Sequence, residues 1–533
     1  MTNELILGDE AAALGAVHAG ISAGYSYPGT PASEVMEFLV KISKKNGFHA
    51  HWCVNEKVAY EEALGVSFAG KRSIVSMKHV GLNVAADPFM NSSITRINGG
   101  LVVLVADDPG MHSSQNEQDT RYYAQFAQTI CLEPSSHQEA YDMTRKAFDL
   151  SESFHIPVVI RMVTRLAHSR GRVKGAPRRE KNKAHRAASQ DWTLLPLNAR
   201  RRFAALVEKQ PMLLKFSQGS PFNSLNLNSK NNKLGIVASG IGYNYVMESA
   251  RDLSPAPSVL KICTYPLPRS LIKELMEHVD DILVVEEGYP FVEHSIKGLF
   301  GIKGKNISGK LSRALPMTGE LNPDTVRKAM NLEPLEIRKS VKDWIPARPP
   351  QLCKGCPHID TFDALNKALR DYPKAVVFSD IGCYTLGALP PYHAVDTCVC
   401  MGASVSMSKG GAEAGIYPSV GVIGDSTFIH SGITPLLDAV SSDRDMTVII
   451  LDNSTVAMTG GQPTMASGDK LENIVRGLGV DLRHIRRINP LKKHLDENIH
   501  VIREEIEHQG LSVIIALRPC IQETRRRKKE KKK

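Results

Sequence analysis

The chain has 533 residues, which is too many for one hydrophobic core. Of these residues, 42% are hydrophobic and 23% are charged, a composition typical of globular proteins. Its formal net charge of +10 is concentrated at one end, because the last nine residues, RRRKKEKKK, contribute +7 and leave +3 for the rest. This balance is not typical of a dedicated nucleic-acid-binding surface, and no apolar run approaches the roughly 20 residues of a membrane helix. Nine cysteines and the acidic, polar start MTNELILGDE predict a reducing, cytoplasmic location.

Residues 1 to about 165 alternate amphipathic helical patterns with short apolar runs, which predicts an α/β domain. The segments RSIVSM (72–77) and GLVVLVAD (100–107) are predicted to be buried parallel strands. The segment VNEKVAYEEALGVSFAG (54–70) is predicted to be an amphipathic helix that ends at Gly70.

Beyond this domain the composition changes twice. Residues 166–232 contain the basic stretch RGRVKGAPRREKNKAHR and are predicted to be a surface linker that carries one or two helices. Residues 233–340 and 345–522 both return to strand–helix alternation, which predicts two more α/β domains. The basic tail, 523–533, is predicted to be disordered, with docking onto an acidic partner or RNA as the alternative. The strands expected in the third domain are 375–383, 419–425, 446–453 and 511–517.

Two of those strands end in residues that suit a magnesium diphosphate site. GVIGDSTFIHSG presents the Asp425 carboxylate, and VIILDNSTVAMTGGQPT presents the Asn453 amide, with the Thr455 carbonyl close behind it. Mg²⁺ prefers one or two carboxylates, waters and a phosphate. The Gly424 backbone, followed by a helix start, suits a diphosphate. Ordinary strand ends are the alternative for either motif alone, but the ordered pair resembles the thiamine diphosphate motif.

Thiamine chemistry also needs a carboxylate that hydrogen-bonds the aminopyrimidine ring. The candidate is Glu56 in VNEKVAYEEALG, and the alternative is an acid placed in the first turn of a helix by the helix dipole. Glu61 and Glu62 are interpreted as surface acids of that helix, although composition does not separate the three. In YPGTPASEV, Thr30 fits a helix N-cap and Pro31 the first helical position, and the Thr30 hydroxyl can alternatively face a ligand.

The segment ADDPGMHSSQNEQDTRYYA (106–124) is a long polar loop with few apolar anchors, a pattern often found at functional sites. Its Arg121 could bind a substrate carboxylate through two parallel hydrogen bonds. A surface salt bridge is an equally good interpretation of this arginine.

Four cysteines are expected at the edges of the third domain: Cys353 and Cys356 in CKGCPH, Cys383 in DIGCYTLG, and Cys520 in LRPC. Four such thiolates can hold a [4Fe–4S] cluster, whereas a structural zinc site more often uses two close pairs of ligands. The other five cysteines are interpreted as core residues: Cys53, Cys131, Cys263, Cys398 and Cys400. Of these, Cys398 and Cys400 are not excluded as ligands.

Eight stretches together resemble the alpha subunits of indolepyruvate ferredoxin oxidoreductases, within the 2-oxoacid:ferredoxin oxidoreductase family. They are YPGTPASEV, NEKVAYEEALG, MKHVGLN, ADDPGMHSSQNEQDTRYYA, CKGCPH, DIGCYTLG, GDSTFIHSGI and LDNSTVAMTGGQP. The resemblance covers nearly the whole chain except the basic linker and tail. It implies an α/β thiamine-diphosphate-binding fold with a pyrimidine-binding domain (1–165), a transketolase-C-terminal-like domain (233–340) and a diphosphate-binding domain (345–522).

The resemblance also implies the cofactors, namely thiamine diphosphate, Mg²⁺ and one [4Fe–4S] cluster. It implies Glu56 as the acid that activates the thiamine ring, and Thr30 and Arg121 as contacts of the 2-oxoacid. The other implied residues are Asp425, Asn453 and Thr455 for Mg²⁺, Gly402, Gly424 and Ser426 for the cofactor, and Cys353, Cys356, Cys383 and Cys520 for the cluster.

The implied activity is oxidative decarboxylation of arylpyruvates such as indole-3-pyruvate and phenylpyruvate, with coenzyme A as acyl acceptor and ferredoxin as electron acceptor. A beta subunit and a hetero-oligomer without membrane association are implied as well. Family members typically continue into a ferredoxin-like domain with C-x₂-C-x₂-C-x₃-C-P runs, which this chain lacks. Electrons are therefore expected to reach a separate ferredoxin or a ferredoxin-like subunit, with the basic tail assisting its docking.

Two other classes of function stay open at this point. One is a non-redox thiamine diphosphate-dependent 2-oxoacid decarboxylase whose cysteines are structural. The other is a regulatory or scaffolding protein that binds nucleic acid through its basic segments.

Overall fold

A computed structural model describes residues 3–185, 191–335, 350–442 and 444–530 of the chain. The chain divides into two compact units, Met1–Lys339 and Ser340–Lys533. No helix within the described ranges is long and apolar enough to cross a bilayer.

The first unit contains two mostly parallel sheets and a two-stranded antiparallel ribbon. Its strands are β1 (Asn3–Leu7), β2 (Ala23–Ser26), β3 (His49–Trp52), β4 (Ser73–Lys78), β5 (Leu101–Asp107), β6 (Ile130–Leu132), β7 (Val158–Val163), β8 (Arg170–Lys174), β9 (Ser224–Asn226), β10 (Leu234–Ser239), β11 (Ser258–Ile262), β12 (Thr264–Tyr265), β13 (Asp281–Val285) and β14 (Asn306–Ser308). Its helices are α1 (Gly8–His18), α2 (Ser33–Asn46), α3 (Glu56–Phe68), α4 (His79–Val84), α5 (Ala86–Ile94), α6 (Thr120–Phe126), α7 (His137–Phe154), α8 (Thr164–His168), α9 (Pro196–Gln218), α10 (Gly242–Ser249), α11 (Arg269–His278), α12 (Phe291–Lys297) and α13 (Pro323–Ala329).

The larger sheet has seven strands in the order β12-β6-β7-β5-β4-β2-β3, parallel except for the edge strand β12. Every residue of β4, β5 and β7 is buried, because helices cover both faces of a parallel sheet. The predicted strands at 72–77 and 100–107 are confirmed to within a residue as β4 and β5. The carboxyl ends of β2, β4 and β5 therefore share one edge of the sheet, where functional groups of α/β proteins gather.

The predicted linker is more structured than its composition indicates. Strand β8 pairs with β1 in antiparallel register, and β9 adds an antiparallel edge strand to the second sheet. The order in that sheet is β14-β13-β10-β11-β9. Both β8 and β9 are short and largely exposed, so neither has the apolar pattern by which a strand is recognised in a sequence.

The second unit is a single parallel sheet in the order β15-β16-β17-β19-β18 with helices on both faces. Its strands are β15 (Val376–Ser379), β16 (Ser419–Gly424), β17 (Met446–Asp452), β18 (Ile485–Ile488) and β19 (Leu511–Leu517). Its α-helices are α14 (Pro357–Ala368), α15 (Ala403–Glu413), α16 (Asp425–Thr427), α17 (Ile433–Val440), α18 (Asp469–Gly477), α19 (Leu495–Glu507) and α20 (Ile521–Glu530).

Three of the four strands predicted here are confirmed within one residue, and the fourth is shorter than expected, ending at Ser379. The chain leaves that strand for a 3₁₀ turn at Cys383–Ala388. The prediction of a disordered tail from residue 523 is wrong over most of its length, because α20 continues to Glu530. The Thr524 amide and hydroxyl both donate to the Cys520 carbonyl, and Arg526 forms an ion pair with Glu523 one turn earlier.

Candidate active site

Glu56 is the first residue of α3, at the point where the chain enters this helix from β3. The side chain of the preceding Asn55 accepts a hydrogen bond from the Val58 amide at 2.8 Å and caps the helix. Glu56 is buried, with 5% of its surface exposed. Its carboxylate packs against Gly81 of α4 so closely that a Cβ atom added to Gly81 would lie 2.6 Å from Glu56 Oε1.

The structure distinguishes Glu56 from the two other acids of helix α3, Glu61 and Glu62, which the sequence pattern did not. Glu61 and Glu62 lie on the exposed face of the helix, as predicted. Glu61 pairs with Lys57 one turn earlier, and Glu62 accepts a hydrogen bond from the Cys53 thiol. Only Glu56 is held inside the unit, at the edge of the sheet where strands β2 and β4 end.

Thr30 lies in the turn that follows β2. The predicted N-cap at this residue is wrong, because the helix begins three residues later at Ser33. The Ala32 amide donates to the Gly29 carbonyl and the Gly29 amide donates to the Ser33 hydroxyl, which makes a separate turn before the helix. Thr30 is half-buried, and its carbonyl accepts a hydrogen bond from the Ser113 hydroxyl at 3.1 Å. The turn after β2 and the loop after β5 are thus joined.

Arg121 is fully buried, with 1% of its surface exposed. Its guanidinium forms ion pairs with Asp119 at 2.5 Å and with Glu286 at 2.8 Å, and it donates to the Glu287 and Tyr289 carbonyls. These contacts join α6 to the second sheet of the same unit. Because the surrounding carboxylates and carbonyls already accept its hydrogen bonds, the guanidinium is engaged by the protein itself.

In the second unit, Asp425 is the first residue after β16. It is 2% exposed, and burial together with the Asp452 carboxylate raises its pKa well above the usual range. Among the described residues, neither Asp425 Oδ2 nor the buried Ser426 hydroxyl has a hydrogen-bond partner. A buried carboxylate oxygen without a donor is costly, and a bound cation is the group that would satisfy it. The local chemistry therefore fits Mg²⁺.

Asn453 follows the neighbouring strand β17 and is buried. Its Oδ1 accepts from the Thr455 amide at 3.1 Å, its Nδ2 lies 3.3 Å from His358 Nε2, and its carbonyl accepts from the Cys520 amide. Ser454, between Asn453 and Thr455, has a φ of +63°, and this left-handed conformation turns the chain sharply. The two strand ends predicted to hold the metal thus lie side by side, since β16 and β17 pair in parallel.

Gly402 and Gly424 both lie where backbone must approach other groups closely. Gly402 has a φ of +87°, and its amide donates to Asp380 Oδ2 at 3.1 Å. A Cβ atom at Gly424 would lie 2.7 Å from Tyr384 Cε1. Asp380 also accepts from Ser404, and burial raises its pKa to about 6. Asp380 was not predicted as a site residue, because its only signal in the sequence is an acid at the end of an apolar run.

The four predicted cluster cysteines line one cavity of about 270 Å³ in the second unit, and Asn453 and Thr455 line the same cavity. Cys353 is exposed, Cys356 is buried, and the other two are half-buried. Burial and the neighbouring thiols raise the pKa of Cys383 to about 12 and that of Cys356 to about 11. Within the described ranges, no three histidine, cysteine or acidic side chains are grouped tightly enough to hold a single metal ion. A [4Fe–4S] cubane makes a different demand, because each cysteine binds a separate iron.

The remaining cysteines divide into two groups. Cys53, Cys131 and Cys263 are buried, as predicted. The interpretation of Cys398 and Cys400 as core residues is wrong, because both are exposed. They lie on a segment without regular structure, so the alternating strand face assumed for them does not form.

Two family models match the chain. Residues 14–215 match "Pyruvate flavodoxin/ferredoxin oxidoreductase, thiamine diP-bdg", and residues 380–516 match "Thiamine pyrophosphate enzyme, C-terminal TPP binding domain". Indolepyruvate oxidoreductase subunit IorA from Archaeoglobus fulgidus is 39% identical over 97% of this chain and 86% of its own length. The chain belongs to the IorA family. The corresponding subunit from Methanothermobacter thermautotrophicus is also 39% identical, with the same coverage.

The IorA family places the chain among the thiamine diphosphate-dependent 2-oxoacid:ferredoxin oxidoreductases. A solved structure of 2-oxoglutarate:ferredoxin oxidoreductase from Magnetococcus marinus aligns with a TM-score of 0.51 and 16% identity, over 62% of this chain and 65% of that one. At that identity the likeness concerns the fold, and it agrees with the predicted α/β thiamine-diphosphate-binding architecture. Of the rival interpretations, the nucleic-acid-binding scaffold is excluded by this membership.

Proposed function

We propose that the chain oxidatively decarboxylates arylpyruvates, passes the acyl group to coenzyme A and delivers the electrons to ferredoxin. The observation that carries this proposal is the cavity shared by Cys353, Cys356, Cys383 and Cys520 with Asn453 and Thr455. A redox cluster beside the metal-binding loop is what electron removal from the thiamine cofactor requires. The aryl substrate rests on the name of the two archaeal relatives, indolepyruvate oxidoreductase subunit IorA.

Asp425, Asn453 and Thr455 would hold Mg²⁺ at the carboxyl ends of β16 and β17. The unpartnered Asp425 oxygen supports this assignment, and the close approach of backbone at Gly402 and Gly424, with the free Ser426 hydroxyl, suits a diphosphate. Bound thiamine diphosphate supplies the electron sink for decarboxylation. We assign Glu56 to the hydrogen bond with the aminopyrimidine ring, because its carboxylate is buried and fixed by packing.

The proposed functions of the three domains follow from these residue assignments. Residues 1–165 would bind the pyrimidine, residues 233–340 would form a transketolase-C-terminal-like domain, and residues 345–522 would bind the diphosphate, Mg²⁺ and the cluster. We propose Thr30 as a contact of the 2-oxoacid, since it lies on the turn at the carboxyl end of β2. For Arg121, the ion pairs with Asp119 and Glu286 favour a role in positioning α6 over direct contact with substrate.

The proposed electron exit lies at the exposed Cys353. The residues that flank Cys353 line a cavity of about 850 Å³ in the second unit. Its lining includes Cys356 and three exposed lysines, Lys354, Lys492 and Lys493. Helix α20 follows Cys520 directly and adds further positive charge. These cations favour an acidic ferredoxin or ferredoxin-like subunit as the electron acceptor, and a beta subunit completes the proposed hetero-oligomer.

Iron content tests this proposal most directly. The chain, purified anaerobically with its second subunit, should contain about four irons and four sulfides per chain and give a [4Fe–4S] signal in electron paramagnetic resonance after reduction. Cys383→Ser should lose most of that iron, whereas the matched exposed control Cys398→Ser should retain it. Stoichiometric zinc, or no metal, would refute electron transfer through these cysteines and leave a non-redox 2-oxoacid decarboxylase.

A further inference from the structure

Lys78 is a buried cation at the edge of the first unit's large sheet. It is the last residue of β4, with 9% of its surface exposed. Its aliphatic stem packs on Gly29, where an added Cβ atom would lie 3.3 Å from Lys78 Cδ. Its ammonium donates to the Ser113 carbonyl at 3.1 Å. The side chain is therefore enclosed by the turn after β2 and the loop after β5.

Among the residues that the structure describes, this ammonium has no anionic partner of its own. Within the described ranges, no carboxylate lies at ion-pair distance from Lys78 Nζ. The acids whose charges act on this ammonium are Asp108, on the loop after β5, and Glu56, at the start of α3. Asp108 is already satisfied, because it accepts hydrogen bonds from the Thr164 and Ser114 hydroxyls and from the Ser113 amide. A buried charge without a counterion is costly, and such a charge is retained where a ligand supplies the counterion.

The position of Lys78 narrows the choice of ligand. The ammonium is within electrostatic reach of Glu56, the residue assigned to the thiamine ring. The Ser113 residue whose carbonyl it binds also donates to the Thr30 carbonyl, on the turn assigned to the 2-oxoacid. The cation is thus linked electrostatically to the residue assigned to the ring, and through Ser113 to the turn assigned to the substrate. Arg121, the other basic candidate for a substrate carboxylate, is already paired with Asp119 and Glu286.

We propose that Lys78 binds the carboxylate of the 2-oxoacid substrate and positions its keto carbon next to the thiamine cofactor. The inference rests on the proposed assignment of Glu56 and deepens it, since it names the charged group that recognises the substrate class. An ammonium–carboxylate hydrogen bond in a buried site contributes enough free energy for about a 10- to 100-fold preference for acids over their neutral amides.

The ionisation of Lys78 predicts how the preference for a carboxylate should depend on pH. Burial lowers its pKa to about 8, while the charges of Asp108 and Glu56 act in the opposite direction. The group is charged below that pH and neutral above it, so preference for the carboxylate should be full near pH 7 and decline through pH 8 to 9. A bound carboxylate favours the charged form, so the decline begins at the pKa of the free enzyme and levels off only above the higher pKa of the complex.

The experiment measures binding of 3-phenylpropionate and 3-phenylpropionamide, which lack a keto group and therefore do not react. Both are titrated calorimetrically into the holoenzyme loaded with magnesium and thiamine diphosphate. Wild-type protein should prefer the acid by about 10- to 100-fold. Lys78→Met should abolish the preference and raise KM for the 2-oxoacid by a similar factor, and Lys78→Arg should restore part of it. The control Lys57→Met, which removes an exposed lysine paired with Glu61, should change nothing.

Two results would overturn the inference. One is a Lys78→Met enzyme that still prefers the acid. The other is a variant that loses this preference only together with its affinity for thiamine diphosphate, because the anion at Lys78 would then be the cofactor's diphosphate. If Lys78→Met does not fold, Lys78→Gln decides, and a glutamine variant that keeps the wild-type preference for the acid refutes the idea. Iron and thiamine content of the same samples report separately on the proposed function.

Discussion

Replacing Gly81 by alanine tests whether Glu56 is the acid that activates the thiamine ring. The new Cβ atom would lie 2.6 Å from Glu56 Oε1, 2.7 Å from its Cγ and 2.9 Å from its Cδ. Ordinary non-bonded contact needs about 3.5 Å, so the whole carboxylate must retreat by about 1 Å. A misplacement of that size at a catalytic group costs on the order of 100-fold in rate.

The fold should tolerate this substitution. Gly81 lies inside helix α4, where alanine is favoured over glycine by up to about 1 kcal/mol. The flexible Glu56 side chain, rather than backbone, is what the methyl group meets. The expected signature is therefore an enzyme of unchanged or slightly raised melting temperature that has lost most of its activity.

The assay is exchange of the C2 proton of bound thiamine diphosphate for deuterium, followed by acid quench and nuclear magnetic resonance. This step precedes substrate binding and depends on the acid at the aminopyrimidine ring. The matched control is Gly65→Ala in α3, where an added Cβ atom meets nothing within 4 Å. Gly65→Ala should exchange at the wild-type rate. If Gly81→Ala also exchanges at that rate with thiamine fully bound, Glu56 is not the activating acid.

Two further predictions concern other parts of the chain. Arg161 is fully buried and pairs with Asp107 and Glu133, so Arg161→Met should lower the free energy of unfolding by about 3–5 kcal/mol, measured by denaturant titration. The half-exposed Arg165→Met should lower it by less than about 1 kcal/mol, and equal losses would contradict the argument. Deleting residues 525–533 should weaken ferredoxin reduction most at low salt, where attraction between the basic tail and an acidic ferredoxin is least screened. An unchanged rate with unchanged salt dependence would show that the tail takes no part in docking.

The sequence by itself determined the strands that are buried on both faces and the residues at their ends. The strands β5, β16 and β17 are continuous apolar runs, because a parallel sheet covered by helices has no polar face, and their bounds were predicted to within a residue. The residues Asp425 and Asn453 stood out because each follows such a run directly. Their pairing across adjacent strands follows from the parallel register.

Only the tertiary structure decided the roles of the charged side chains. Glu56, Glu61 and Glu62 lie on one helix and differ in what faces them, which a helical pattern does not reveal. Lys78 and Arg121 are both buried cations, and only their neighbours show that, among the described residues, carboxylates pair with Arg121 and none pairs with Lys78. Burial and pairing depend on residues far apart in the chain, so the energy of a charge is a property of the fold rather than of its local sequence.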